Sequence, residues 1–137
     1  MEKKIKHLEI IQGVINRMAG NSFLIKGWCV TLVSALLALA SKDSNTKFIF
    51  VSYYPVLMFW ILDAYFLWQE RLFRKLYDKI RLTEEDSIDF SMNTSTFVKD
   101  PDSWLRVAFS KTLLLFYGTM IGAIWLAMFI LGLIKLT

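Results

Sequence analysis

The chain has 137 residues, of which 55% are hydrophobic and 15% aromatic, and its mean hydropathy is +0.45. A soluble domain of this size does not need so much apolar surface, so the composition favours a membrane protein. The net charge is +4, and the chain has a single cysteine, Cys29, and a single histidine, His7. We therefore expect neither a disulfide framework nor a zinc site.

Three apolar runs are long enough to cross a hydrocarbon layer, which takes about 20 helical residues. They predict spans at residues 22–41, at residues 48–69 and, after a juxtamembrane helix, within residues 103–134. The first run starts too deep in the chain for a signal peptide and lacks a small-residue cleavage site, so we interpret it as a retained span. The expected fold is an all-α membrane protein with three transmembrane helices.

The distribution of Lys and Arg predicts the orientation of these spans. With a cytosolic N-terminus, twelve Lys and Arg residues lie on the cytosolic side and only Lys42, Lys47 and Lys135 lie on the other. Because cytoplasmic segments of membrane proteins are enriched in Lys and Arg, this asymmetry favours a cytosolic N-terminus and a C-terminus outside.

Residues 1–21 have the periodicity of an amphipathic helix. Its apolar positions are Ile5, Leu8, Ile11, Val14, Ile15 and Met18. Such a helix can lie flat on anionic lipid or pack against the basic helix of another subunit. Gly20, Asn21 and Ser22 form the expected joint with the first span, because Asn and Ser cap helices; a continuous helix is the alternative.

The second span continues into a basic segment without Gly or Pro, which predicts one helix that extends into the cytosol over residues 70–82. One stripe of this extension is apolar, at Leu72, Phe73, Leu76, Tyr77 and Ile80. Its cations are Arg71, Arg74, Lys75, Lys79 and Arg81, which we call the basic surface. The extension is either a surface for a cytosolic partner or lipid headgroups, or it packs on the N-terminal helix.

Residues 83–102 are acidic and rich in Ser and Thr, which predicts a polar cytosolic loop with a possible short strand at 96–98. The acidic cluster Glu84, Glu85, Asp86 and Asp89 lacks the spacing of an EF-hand, so we interpret it as solvated. Asp102 or Ser103 is expected to cap the following juxtamembrane helix.

Two charged residues lie inside predicted spans. Lys26 is about one turn inside the first span, and Asp63 is about two turns before the cytosolic end of the second, so both lie at similar depth. A charge within a span is costly, and each residue is the natural partner of the other. Two interpretations remain open, a structural ion pair between adjacent helices and a ring of charges around a water-filled path in an oligomer.

Small residues form candidate helix-packing faces in the first and third spans, because they let helix backbones approach closely in lipid. These residues are Gly27, Thr31, Ala35, Gly118 and Gly122, the last two with GxxxG spacing.

No catalytic constellation is present in the sequence. It lacks a Ser/His/Asp or Cys/His set and a Gly-rich phosphate loop, so we expect no enzyme activity and no cofactor. We also expect no nucleic-acid binding, because topology and lipid headgroups account for the basic surface.

Residues 11–39 and 59–81 resemble small bacterial inner-membrane proteins of the RipA type, which are described as octameric. They are also similar in outline to SLATT-type membrane effectors found beside anti-phage genes. The polar positions that carry the resemblance are Asn16, Arg17, Asn21, Ser22, Lys26, Asp63, Gln69, Glu70 and Arg71. The resemblance implies a homo-oligomeric ring, with eight subunits as in that family, in the bacterial inner membrane, and a context of stress or anti-phage defence.

Two functional hypotheses follow. In the first, the oligomer is a non-enzymatic scaffold whose basic cytosolic helices recruit a soluble protein. In the second, it is a pore-forming or membrane-perturbing effector, with Lys26 or Asp63 around a gated path.

Overall fold

The computed structural model describes residues 1–43, 47–98 and 104–131. Throughout these ranges the regular structure is helical, and three helices are long and apolar enough to cross a membrane. The all-α class and the three candidate spans predicted from the sequence are thereby confirmed.

Helix α1 runs without interruption from Glu2 to Asp43, a length of about 63 Å at 1.5 Å per residue. The expected joint between Gly20 and Ser22 is absent, and the alternative of a continuous helix applies. Ser22 lies inside α1 and therefore does not cap a helix. Its hydroxyl instead donates a hydrogen bond to Asp63 on a neighbouring helix.

The second candidate span begins with the short helix α2, Lys47–Val51, and continues in α3, Tyr53–Arg81. The turn at Ser52 separates them because Pro55 has no N–H group to donate to the carbonyl of Val51. Helix α3 is unbroken from Tyr53 to Arg81 over a length of about 44 Å, so the apolar span and the basic segment form one rod.

The segment after α3 has two 3₁₀ turns, at Glu85–Ser87 and Ser95–Phe97. The short strand suggested at residues 96–98 is therefore wrong. Polar side chains satisfy the backbone locally: the N–H of Ser91 donates to Asp89 Oδ1 at 3.0 Å, and the N–H of Ser95 donates to an Asn side chain at 2.9 Å. Turns of this kind compete with strand pairing.

The third candidate span is α5, Lys111–Ile130, which follows the short helix α4, Trp104–Ala108. An extended Ser110 separates the two helices. The indole of Trp60 on α3 donates a 2.8 Å hydrogen bond to the carbonyl of Ala108, a group that the break leaves without a helical partner. The predicted caps at Asp102 and Ser103, residues 44–46 and residues 132–137 lie outside the described residues.

The larger core lies between the three candidate spans. Its buried members include Cys29, Val33, Val56, Ala64, Val107, Leu113, Tyr117 and Ile124. Only 17–28% of the apolar stretch of each span is buried. Much of the remainder is apolar surface on the outside of the chain, where lipid or another subunit can cover it.

The second core joins the polar ends of α1 and α3, and we call residues 2–21 and 70–81 the polar hairpin. Ile11 and Ile15 of α1 pack against Leu76 and Ile80 of α3, and Leu8, Phe73, Tyr77 and residues of the following loop surround them. The apolar stripe of the basic extension therefore packs on the N-terminal helix of the same chain. The apolar face of the N-terminal helix is thus covered within its own chain. This argues against the alternatives in which that helix lies flat on lipid or packs on another subunit.

Candidate functional site: a polar cluster between three helices

Asp63 is the centre of the most polar site between the candidate spans. It lies near the middle of α3, and its side chain is 0% exposed. Burial without partners would make an ionised carboxylate very costly, so the groups that surround it determine what the site can do. Hydroxyl and ammonium donors reach it from both other spans.

Two donors come from α1 and lie one helical turn apart. Lys26 Nζ is 2.6 Å from Asp63 Oδ2, and the Ser22 hydroxyl donates a hydrogen bond to Asp63 Oδ1. Lys26 Nζ also donates to Ser22 Oγ at 2.8 Å. Because residues i and i+4 share a helix face, Ser22 and Lys26 form one matched pair of donors for the carboxylate.

The third donor comes from α5. The hydroxyl of Tyr117 is 2.8 Å from Asp63 Oδ2 and 3.2 Å from the carbonyl oxygen of Phe59, and its ring is fully buried. The ring stacks on Trp60 with 5.7 Å between centroids and 2° between planes. A buried tyrosine needs a partner for its hydroxyl, and here that partner is the carboxylate.

Sequence reasoning singled out Lys26 and Asp63 and expected them to pair, and the structure brings them together. It did not assign Tyr117 or give Ser22 a role at this site. The available indication was weak: a phenol within an apolar span needs a hydrogen-bond acceptor, but the sequence does not say which helix supplies it.

The cluster is suited to holding the three spans together. Its formal charges cancel, and charge-assisted hydrogen bonds link α3 to both α1 and α5. Among the described residues no group of three His, Cys, Asp or Glu side chains could hold a metal ion. Asp63 faces the interior of its own three-helix bundle, so it could line an opening only if these helices separated.

The predicted small-residue faces lie on the outside of the chain. A Cβ atom added at Gly27, Gly118 or Gly122 would meet nothing within 4 Å. Thr31 and Ala35 are also exposed, and the Thr31 hydroxyl bonds to the carbonyl of Gly27 at 2.9 Å. Packing within one subunit through these residues is therefore wrong, and contact between subunits stays a prediction.

The basic surface lies on the outer side of the polar hairpin. Arg74 pairs with the buried Glu70 at 2.7 Å, and Arg81 lies 3.8 Å from Asp78. Lys79 is exposed, whereas Arg71 and Lys75 are half-buried. All five cations of the basic surface therefore lie on the α3 side of the hairpin.

The loop after α3 closes the end of the hairpin through Glu85, whose side chain is 30% exposed. Its carboxylate oxygens accept hydrogen bonds from the N–H groups of Lys3 at 2.8 Å and Lys4 at 3.1 Å, so Glu85 caps α1. Partial burial acts to raise the pKa of Glu85, but hydrogen bonds from the N-terminal amine and these N–H groups outweigh it, and the pKa is lowered. Within the acidic cluster, Glu85 is therefore a structural contact of α1 and not a solvated side chain.

A second contact holds the same loop. The ring of His7 is fully buried, and its Nε2 lies 2.9 Å from the carbonyl oxygen of Ser91. Phe90 packs on the His7 ring at 5.4 Å between centroids and has a positive φ of 56°. We call the contacts of Glu85 and His7 with their partners the loop clasp. Sequence reasoning missed it because its partners are more than 80 residues apart.

Fold and site together define a helical protein with three candidate membrane spans, a buried polar cluster between them and a polar hairpin at one end. Comparisons with family models, with curated proteins and with solved structures find no match.

Proposed function

We propose that the protein is a non-enzymatic, homo-oligomeric scaffold of the bacterial inner membrane, whose polar hairpin recruits a cytosolic protein. In this proposal the N-terminus and the basic surface are cytosolic and the C-terminus is outside, as the distribution of Lys and Arg favours. The bacterial setting, a ring of eight subunits and a context of stress or anti-phage defence rest on the resemblance to RipA-type and SLATT-type proteins.

The observation that carries the proposal is the folded polar hairpin. It has its own core, formed by Ile11, Ile15, Leu76 and Ile80, and the loop clasp fixes its end. A rigid body beyond the apolar part of the spans, with cations on its outside, is suited to binding an acidic protein surface. Complementary charge mainly gives such a complex specificity and fast association.

The polar cluster supports a scaffold more than a pore. Asp63 is fully buried and accepts hydrogen bonds from Ser22, Lys26 and Tyr117, so its charge is already balanced inside one subunit. A carboxylate that lined a conducting path would face water. Of the two interpretations of Lys26 and Asp63, the proposal therefore adopts the structural ion pair.

Native mass spectrometry of the detergent-purified protein tests the assembly. Eight chains of 16.0 kDa give a complex of about 128 kDa. A single-chain mass at every protein concentration and in several mild detergents would contradict the oligomeric part of the proposal.

Site-specific photo-crosslinking in cells tests recruitment. A photoreactive amino acid replaces Arg71 or Lys79 on the basic surface, and in the matched control it replaces Lys42 at the opposite end of α1. The proposal expects a discrete adduct with one soluble protein at the first two positions and none at Lys42. It also expects Lys79→Glu to reduce the Arg71 adduct, since a reversed charge repels an acidic partner. Adducts with lipid alone at Arg71 and Lys79 would refute recruitment.

A further inference from the structure

A groove on the outside of the bundle runs between α1 and the first half of α5. It has a volume of about 510 Å³. Its lining residues are Lys26, Lys111, Thr112, Leu115, Phe116 and Thr119. The five residues from α5 share one face of that helix, because positions three and four apart are neighbours on a helix surface. The groove therefore follows the helix axis, across the region where a lipid would lie against a span.

The polar groups of the groove are at two depths. Lys111 is the first residue of α5, and Lys26 Nζ lies 5.8 Å from the ring centre of Phe116, five residues further along. Five residues of α-helix correspond to about 7.5 Å along the axis. A glycerophospholipid has the same arrangement, with a phosphate at its surface end, ester carbonyl oxygens below it and hydrocarbon beyond.

The charge of the groove is positive. Asp63 balances Lys26, and among the described residues no Asp or Glu lines the groove, so Lys111 leaves one net positive charge there. The Lys111 side chain has no ion pair with a described residue. Of the three N–H donors of Lys26, one binds Ser22 and one binds Asp63, while the 20% of its side chain that is exposed faces the groove.

We propose that this groove binds one monoanionic phospholipid, such as phosphatidylglycerol, from the surrounding membrane. The phosphate pairs with Lys111 and the Thr112 hydroxyl, and an ester carbonyl accepts the third N–H of Lys26. One acyl chain lies along Leu115 and Thr119. Basic pockets between membrane helices bind anionic headgroups in this way. A zwitterionic lipid binds less well because its own cation meets Lys111.

The site needs neither the assembly nor the partner proposed above. Native mass spectrometry of the detergent-purified protein, titrated with phosphatidylglycerol, counts the lipids bound per chain, and phosphatidylcholine with the same acyl chains is the reference lipid. We expect one phosphatidylglycerol per chain, bound at least about fivefold more tightly than phosphatidylcholine.

Two variants and one control locate the site. Lys111→Gln should weaken phosphatidylglycerol about fivefold, the usual effect of one interfacial lysine. Thr119→Phe, which fills the groove without changing charge, should weaken both lipids. Lys42→Gln removes an exposed lysine at the far end of α1 and should change neither. Unchanged tryptophan fluorescence shows that each variant is folded.

Any one of four results would overturn the proposal. The first is equal affinity for the two lipids, and the second is an equal effect of Lys111→Gln and Lys42→Gln. The third is unaltered binding after Thr119→Phe, which would leave the acyl chain outside the groove. Displacement of phosphatidylglycerol by the same concentration of inorganic phosphate would also exclude a lipid site, because the headgroup alone would then account for binding.

Discussion

Replacement of Asp63 by alanine removes the acceptor shared by Ser22, Lys26 and Tyr117. It leaves the Lys26 ammonium inside a candidate span with only a hydroxyl as partner. Breaking a buried ion pair costs about 3–5 kcal/mol. Lys26 is 20% exposed and can turn towards the surface, so we expect the lower end, a loss of about 3 kcal/mol in the free energy of unfolding.

The reverse substitution, Lys26→Ala, leaves the fully buried carboxylate with two hydroxyl donors and should also cost about 3 kcal/mol. The double variant loses the ion pair but buries no unpaired charge, so we expect its free energy of unfolding to fall by about 4 kcal/mol in total. The resulting coupling energy of about 2 kcal/mol is within the range for residues in direct contact.

Reversible unfolding by sodium dodecyl sulfate in mixed micelles measures these free energies. Trp60, which stacks on Tyr117, provides a fluorescence signal close to the cluster. The matched control pairs Asp63→Ala with Lys42→Ala, sixteen residues and about 24 Å along α1 from Lys26, where the losses should add within about 0.5 kcal/mol. If the Lys26 and Asp63 losses also add in full, the cluster does not function as a pair.

Three further substitutions test the rest of the structure. Tyr117→Phe keeps the ring but removes the hydrogen bond to Asp63, so the same unfolding assay should record a loss of about 0.5–1.5 kcal/mol; a stability equal to wild type would remove Tyr117 from the cluster. Glu85→Gln tests the loop clasp: because the pKa of Glu85 is lowered when folded, its stabilisation is complete above its ordinary pKa of 4.5 and is lost as the pH falls through the folded value. The stability difference between wild type and this variant should therefore shrink below about pH 4.5, and a pH-independent difference contradicts the charge-dependent cap. Gly122→Leu meets open space within the chain, so unfolding of one subunit should change by less than about 0.5 kcal/mol. The mass of the assembly should fall if Gly122 lies between subunits, and an unchanged mass removes that contact.

The sequence predicted the three candidate spans because a membrane requires long apolar helices, and this requirement is visible in composition alone. It also predicted the meeting of Lys26 and Asp63, since two opposite charges at similar depth inside spans have few other partners. The continuity of α1 was less predictable. Gly20 and Ser22 suggest a helix end locally, but packing against α3 overrides that preference.

The loop clasp and the outward direction of the small residues were beyond sequence reasoning for a different reason. Glu85 caps a helix that starts more than 80 residues earlier, and His7 binds a carbonyl at a similar separation. Contacts of this range depend on the tertiary arrangement and leave no local periodicity. The small residues at Gly27 and Gly118 follow a packing pattern, but a pattern on one helix does not say whether the partner belongs to the same chain.

Ion flux through liposomes that contain the purified protein tests the central claim, a sealed scaffold with a structural cluster, most directly. Wild-type protein, Asp63→Ala and Lys26→Gln are compared with protein-free vesicles, and flotation confirms equal incorporation. We predict that wild-type vesicles hold a potassium gradient as long as protein-free ones do. If wild-type protein leaks potassium and either substitution changes that leak, the claim of a sealed scaffold is contradicted and a conducting path beside Asp63 is established.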